Sequence, residues 1–237
     1  MGRITVYSYG AMLALAFILT ALLASKRSRV FNIPEESVGN LVFVLLVAGL
    51  VGARALYVLL NATYFSRHPV EVLFINRGGL VFYGGFISAL AAGFIFARIH
   101  KMPILDTMDL LAPFVALGHA IGRIGCFLNG CCYGKPTSSG LGIVFPYSDT
   151  AIYPTQLFSS AGLFIIFIAL FFMQGRRRFK GEIFSLYLIS YGALRFLLEF
   201  LRGDVEPLIL WFGTGQLISI GLVAAGLWLY AITKRQP

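Results

Sequence analysis

Seven nearly charge-free stretches, each long enough to cross a bilayer, constrain this chain more than any other feature. A helix needs about 20 residues to span roughly 30 Å of hydrocarbon. The stretches fall at about 6–25, 40–60, 80–99, 104–122, 156–174, 182–201 and 211–232. Only 12% of the 237 residues are charged, which excludes an ordinary soluble enzyme, a disordered chain and a nucleic-acid-binding module. We therefore predict an all-α polytopic membrane protein with seven transmembrane helices in a single domain, 1–237.

The basic residues predict the orientation of the chain, because Lys and Arg collect in cytoplasmic loops. The net charge is +9, from 19 basic and 10 acidic residues. An N-terminus outside places eleven basic residues in the cytoplasm: Lys26, Arg27, Arg29, Arg98, Lys101, Arg176, Arg177, Arg178, Lys180, Lys234 and Arg235. It leaves six outside or at the outer boundary: Arg3, Arg67, Arg77, Arg123, Lys135 and Arg202. We therefore predict that the N-terminus lies outside and the C-terminus in the cytoplasm.

Two arginines that are not assigned to loops lie inside the predicted spans, together with Glu199, and charge there is costly and usually faces a protein interior or a water-filled cavity. Arg54 lies in the second span, and Arg195 and Glu199 lie one helical turn apart in the sixth. This spacing is typical of an internal ion pair that fixes helix packing. The alternative is an anion site, because guanidinium groups suit phosphate oxygens. Arg123 and Arg202 fall on the same outer side, where a phospholipid headgroup supplies phosphate.

The outer segment at about 123–155 is the longest connection in the chain and is glycine-rich at its start, from Gly122 to Gly134. Dense glycine breaks helices and lets backbone approach a ligand. Non-helical backbone is tolerated at membrane depth only where it is buried in protein or lines a cavity. We therefore predict a re-entrant or cap-like element on the extracytoplasmic side.

Two further polar side chains are candidates for chemistry. Tyr83 precedes Gly84-Gly85 at the outer end of the third span, and is either an interfacial aromatic or a group near a ligand. The glycine pair permits close helix approach or a ligand near the backbone. His119 stands four residues before Arg123, on the same helical face, and is either structural or a proton acceptor.

The three cysteines are clustered at Cys126, Cys131 and Cys132. Together with His119 they would supply four zinc ligands, but the spacing is irregular and adjacent cysteines rarely serve one metal. A disulfide in an oxidising compartment and plain small buried residues are simpler interpretations. We expect no metal and no cofactor.

The run Gly122-Arg123-Ile124-Gly125, followed by Phe127, Asn129 and Gly134, resembles the signature of the prolipoprotein diacylglyceryl transferase family. Further segments follow in the order that the family shows, so the resemblance covers nearly the whole chain. They are Tyr9-Gly10, Gly52-Ala53-Arg54, Gly84-Gly85, Tyr153-Pro154-Thr155-Gln156-Leu157, Tyr191-Gly192-Ala193-Leu194-Arg195-Phe196, Glu199-Phe200 and Arg202. The family's seven-helix arrangement with an outer N-terminus agrees with the topology predicted above.

The resemblance implies an enzyme of the bacterial cytoplasmic (inner) membrane with its active site on the extracytoplasmic side. It would transfer the diacylglyceryl group of phosphatidylglycerol to the lipobox cysteine thiol of a prolipoprotein and release glycerol 1-phosphate. Its partners would be phosphatidylglycerol, the lipobox of the signal peptide and membrane lipids. Arg123 and Arg195 would bind the phosphate and neutralise its charge. The implied substrate-binding residues are Tyr9, Arg54, Gly84, Gly85, Asn129, Glu199 and Arg202.

The chain departs from the family at Tyr83, Cys126 and Cys131, where other members usually carry His, Asn and Glu. Tyrosine, with a reference pKa of about 10, is a weak base at neutral pH. In a divergent diacylglyceryl transferase, Tyr83 or His119 would take the thiol proton. The alternatives are a related phospholipid-dependent transferase with another acceptor, and a lipid-binding or transport protein without chemistry.

Overall fold

The computed structural model describes residues 8–74, 78–145, 149–203, 207–209 and 212–235, which form helices and one short antiparallel strand pair. The helices are α1 (Ser8–Arg27), α2 (Glu35–Leu60), α3 (Ala62–Arg67), α4 (Phe82–Ile99), α5 (Ile104–Leu128), α6 (Thr155–Gln174), α7 (Glu182–Glu199) and α8 (Thr214–Thr233). The strands are β1 (Pro207–Ile209) and β2 (Phe212–Gly213), and 3₁₀ turns lie at Ser28–Phe31 and Pro69–Leu73. Arg3, Arg77 and the first residues of the windows 6–25 and 211–232 lie outside the described residues.

Six segments of the described chain are long and apolar enough to cross a membrane. They are Ser8–Phe31, Glu35–Leu60, Phe82–Ile99, Ile104–Leu128, Thr155–Gln174 and Thr214–Thr233. This composition is that of a helical multi-pass membrane protein. The remaining window, 182–201, also forms a helix, α7, but it carries Glu182, Arg195 and Glu199 and is not among the six. The seventh span therefore stays a prediction.

The start of the glycine-rich segment is helical, and the prediction that α5 ends at 122 is wrong. The helix continues through Gly122 and Gly125 to Leu128. A Cβ atom at Gly125 would lie 3.1 Å from the Cβ of Met12 on α1, so this glycine admits a neighbouring helix rather than breaking its own. Arg123 therefore projects from a helix and not from a loop.

The chain beyond α5 lacks regular structure up to α6 in its described part, residues 129–145 and 149–154. Single antiparallel bridges hold it, at Pro136 with Ile152 and at Ile143 with Ile152. A further bridge joins Gly134 to Arg202, just beyond α7. These bridges pair the backbone groups of a segment that has no helix to satisfy them.

Contacts divide the chain into two compact units, one of Met1–Phe31 with Leu105–Pro237 and the other of Asn32–Ile104. In the second unit, α2 and α4 pack through glycines. A Cβ atom at Gly84 would meet the carbonyl oxygen of Gly52, and one at Gly85 would lie 2.8 Å from that of Gly49. Such contacts let two helices approach closely in a membrane. The single domain of 1–237 stays a prediction.

In the first unit, a carboxylate on α5 caps the N-terminus of α7. Asp109 is fully buried, and its oxygens accept hydrogen bonds from the backbone N–H of Gly181, at 2.7 Å, and of Phe184, at 2.9 Å. Arg177 lies 3.1 Å from the same carboxylate. A helix N-terminus has unpaired N–H groups and a positive dipole end, and the carboxylate satisfies both. Because Gly181 has no side chain to serve as the cap, this contact fixes α7 against α5.

We predict that Asp109→Ala lowers the free energy of unfolding by about 1–3 kcal/mol, because it leaves the backbone N–H groups of Gly181 and Phe184 without their acceptor, while Arg177 keeps its ion pair with Asp106. Thermal unfolding of the purified protein in detergent measures the change. Asp149→Ala is the matched control, since Asp149 is exposed and surface changes usually stay within about 0.5 kcal/mol. Equal destabilisation by both substitutions would contradict the capping role.

Candidate functional site

Two cations share one buried carboxylate at the C-terminal end of α7, Arg195 within the helix and Arg202 three residues beyond it. Arg195 Nη1 lies 2.8 Å from Glu199 Oε2, and Arg202 Nε lies 3.9 Å from the same oxygen. The Glu199 side chain is only 3% exposed, whereas those of Arg195 and Arg202 are 22% and 15% exposed. Both guanidinium groups thus lie at the same carboxylate. The helical spacing predicted the Arg195–Glu199 pair, and the structure contains it.

A glycine on α8 makes room for this ion pair. A Cβ atom at Gly215 would collide with Glu199 Oε1 and would lie 2.8 Å from Arg195 Nη2. Nothing in the sequence selects Gly215, because its spacing does not relate it to residues on α7. It is therefore a site residue that only the packing of α7 on α8 identifies.

Arg123 and His119 interact along one face of α5. Arg123 Nε donates a hydrogen bond to His119 Nε2 at 3.3 Å, and the His119 ring lies 5.3 Å from that of Tyr191 on α7. Arg123 and Arg195 are close enough to act on each other electrostatically. The donated hydrogen bond occupies the lone pair with which His119 would accept a proton. This geometry favours His119 as a positioning residue for Arg123.

The cysteines follow Arg123 at the end of α5. Their three sulfur atoms all lie within 4.8 Å of one another. Hydrogen bonding with Cys126 lowers the pKa of the Cys132 thiol despite its burial, and Cys131 and Arg123 act in the same direction. The irregular spacing of these residues in the sequence did not predict so close a cluster.

Tyr9 on α1 belongs to the same neighbourhood. A Cβ atom at Gly125 would lie 3.3 Å from its ring carbon Cδ2, and the phenol acts electrostatically on Arg123 and the cysteines. Asn129 is exposed at the end of α5, where its backbone N–H bonds to the Gly125 carbonyl. The first unit thus brings Tyr9, Arg123 and the cysteines together.

The second unit holds the other predicted site residues. Tyr83 is 59% exposed and its ring contacts that of Phe82, as an interfacial aromatic would. Gly84 and Gly85 lie at the contact of α2 with α4, which is the helix-approach alternative. Their predicted roles at a headgroup therefore have no support from the contacts within this unit.

Arg54 is buried in the second unit and binds backbone. It donates hydrogen bonds to four carbonyl oxygens, at 2.6–3.1 Å. The acceptors are Glu71, Val72, Gly78 and Gly79. The side chain also lines a cavity of about 330 Å³, together with Tyr57 and Asn61. These bonds indicate that Arg54 positions the segment before α4, and the substrate contact expected of it stays a prediction.

Comparison with known proteins identifies the family of this chain. The family model for prolipoprotein diacylglyceryl transferase matches residues 1–232. A phosphatidylglycerol–prolipoprotein diacylglyceryl transferase of Clostridium tetani is 34% identical over 97% of this chain and 94% of its own length. Proteins of the same name are similar in Finegoldia magna, at 36% over 96% and 91%, and in Bordetella avium, at 32% over 100% and 93%. The chain therefore belongs to the prolipoprotein diacylglyceryl transferase family.

Proposed function

We propose that this chain transfers the diacylglyceryl group of phosphatidylglycerol to the lipobox cysteine thiol of prolipoproteins, releasing glycerol 1-phosphate. The observation that carries the proposal is the approach of two guanidinium groups, those of Arg123 on α5 and Arg195 on α7, with the carboxylate of Glu199 against Arg195. Arg195 and Arg202 share Glu199, and Arg123 acts on Arg195. Such a site suits a phosphate that gains charge as it leaves.

The reaction is a displacement at an sp³ carbon. The acceptor sulfur forms a bond to the glycerol carbon of the diacylglyceryl group, and the bond from that carbon to the phosphate oxygen breaks. The leaving phosphate takes the electron pair, so donors aimed at its oxygens accelerate the step. Arg123 and Arg195 have this role, and Glu199 holds Arg195 in position for it.

The remaining predicted residues have supporting roles in this proposal. Tyr9 and Asn129 bind the substrate beside Arg123, and the substrate contacts expected of Gly84 and Gly85 stay predictions. Arg202 adds positive charge beside Glu199. Tyr83 and His119 are the alternatives for the group that takes the thiol proton.

The proposed topology has seven spans, with α7 as the sixth, an N-terminus outside and a C-terminus in the cytoplasm of a bacterial inner membrane. Basic residues after α1, α4 and α6 and at the end of α8 support this orientation. We expect a green fluorescent protein fused to the C-terminus to fluoresce, and alkaline phosphatase at the same position to be inactive. The opposite pair of results would contradict the orientation.

We predict that the purified protein, in vesicles containing phosphatidylglycerol, attaches a diacylglyceryl group to a lipobox peptide, as mass spectrometry of the peptide will show. Arg123→Ala and Arg195→Ala should each reduce kcat on the order of 10²–10³-fold, the effect of removing one charge-stabilising donor. Arg176→Ala is the matched control, because Arg176 is exposed at the other end of α6.

Two outcomes of this assay would change the proposal. Unchanged lipid binding and turnover in both arginine variants would remove the arginines from the site. Release of glycerol phosphate without a modified peptide would indicate a related transferase with a different acceptor.

We predict that Gly215→Ala impairs the reaction without removing any functional group. The added methyl group displaces Glu199 and Arg195, and overpacking of this kind costs about 1–3 kcal/mol. If that energy is lost from the transition state, kcat/KM falls about 5- to 160-fold. Gly221→Ala on the same helix is the control, because a Cβ atom there meets nothing within 4 Å. Equal kcat/KM in the two variants would refute the steric argument.

A further inference from the structure

Three thiols that are separated by up to six positions in sequence meet at one point of the first unit. Cys126 belongs to the last turns of α5, and Cys131 and Cys132 follow the helix directly. The backbone turns through Gly130, with φ +67°, and through Cys132, with φ +61°. Few residues other than glycine adopt this left-handed conformation, and those that do cluster at functional sites. The turn brings all three sulfur atoms within 4.8 Å of one another.

The first two residues of α6 hold this turn in place. Gln156, which is only 1% exposed, donates a hydrogen bond from Nε2 to the Cys131 carbonyl at 2.6 Å. Thr155 Oγ1 donates one to the Cys132 carbonyl at 2.9 Å. The Cys131 N–H bonds back to the Cys126 carbonyl at 3.1 Å. These three bonds hold the backbone of the turn, and the Cys131 thiol donates a further hydrogen bond to the Cys126 carbonyl at 3.6 Å.

The sulfur positions suit a tetrahedral thiophilic metal ion. Zinc binds thiolate sulfur at about 2.3 Å, so sulfur atoms around it lie about 3.8 Å apart. Sulfur atoms that are already within 4.8 Å reach this spacing by moving about 1 Å or less. Zinc with three thiolates carries a net charge of about −1, and Arg123 and Arg202 both act electrostatically on Cys132. Positive charge therefore already surrounds the cluster.

The cluster supplies three ligands and leaves one position open. Among the described residues, the group of potential ligands consists of the three cysteines alone. His119 does not join it, and its Nε2 accepts the hydrogen bond from Arg123. Three protein ligands with an open fourth position are typical of catalytic zinc, whereas structural zinc has four.

We propose that Cys126, Cys131 and Cys132 bind a zinc ion whose open position takes the sulfur of the acceptor cysteine. The second half of this statement rests on the proposed function. This proposal replaces the expectation of no metal, which rested on the irregular spacing of the cysteines in the sequence.

Zinc at this point solves the chemical problem that Tyr83, Cys126 and Cys131 raise. A thiol that coordinates zinc is deprotonated outright, so its proton passes to water and no strong base is needed. The zinc-bound sulfur then forms the carbon–sulfur bond, and the carbon–oxygen bond to phosphate breaks. The electron pair leaves with glycerol 1-phosphate, and the ion remains Zn²⁺ throughout.

The first test measures zinc in the purified full-length protein by mass spectrometry of the metal. We expect about one zinc per chain, loss of that zinc in Cys131→Ser, and retention of it in His100→Gln, the control for adventitious binding to an exposed histidine. Wild-type protein without zinc after incubation with Zn²⁺, or a disulfide between any two of the cysteines, would overturn the proposal. So would equal zinc content in the wild type and the triple Cys→Ser variant.

The second test uses Co²⁺ in place of zinc in the wild-type protein, so it does not depend on how a variant folds. Three thiolate ligands give a strong sulfur-to-cobalt charge-transfer absorption. A lipobox peptide should change this spectrum, and a peptide with Ser in place of the acceptor Cys should not. An identical response to both peptides would overturn the role of the open position.

Lipid transfer measured on the same samples separates the two proposals. Transfer by metal-free wild-type protein, at the rate of the zinc form, would overturn the zinc inference and leave the proposed function intact. A zinc-bound protein that binds the peptide but transfers no lipid from phosphatidylglycerol would do the reverse.

Discussion

A single buried carboxylate holds together the two helices that carry the proposed site of the first unit. Asp109 accepts hydrogen bonds from the N-terminus of α7 and pairs with Arg177, so it joins α5 to α7 at one end. These two helices carry the residues on which the proposed reaction depends, Arg123 on α5 and Arg195 on α7. In a membrane, where unpaired backbone groups are costly, such a cap defines the position of a helix more sharply than apolar packing does.

The sequence predicted helices well and their special contacts poorly. Apolar windows located the seven long helices of the described chain. They succeed because a bilayer imposes length and composition on each segment separately. The end of α5 was missed, since Gly122 and Gly125 look like helix breakers until α1 is seen to pack on the second of them. Gly215 was missed for the same reason, and the cysteines were recognised as a cluster in sequence without a prediction that their sulfur atoms lie so close together. Each depends on residues from different helices or on a left-handed turn, and no local pattern contains that information.

The buried arginines show that charge in a membrane segment has more than one use. Arg54 donates to four backbone carbonyls and so stabilises an irregular segment. Arg195 instead faces one carboxylate that it shares with Arg202. Both kinds of arginine look alike in sequence, as isolated cations in apolar helices. Their partners distinguish them, because Arg54 bonds to backbone carbonyls whereas Arg195 pairs with a carboxylate and lies near a second arginine, Arg123.

The cap of α7 also sets a common register for two helices. Arg123 follows Asp109 by 14 residues, and Arg195 follows Gly181 by the same number. At 1.5 Å per residue, both positions lie about 21 Å along their helices from the cap. His119 lies ten residues after Asp109, and Tyr191 lies ten residues after Gly181. Their rings are 5.3 Å apart, so the two helices remain in register between the cap and the arginines. One inserted residue in either helix would shift its arginine by about 1.5 Å and turn it by about 100°. The number of residues between cap and arginine is therefore as much a part of the site as the guanidinium groups.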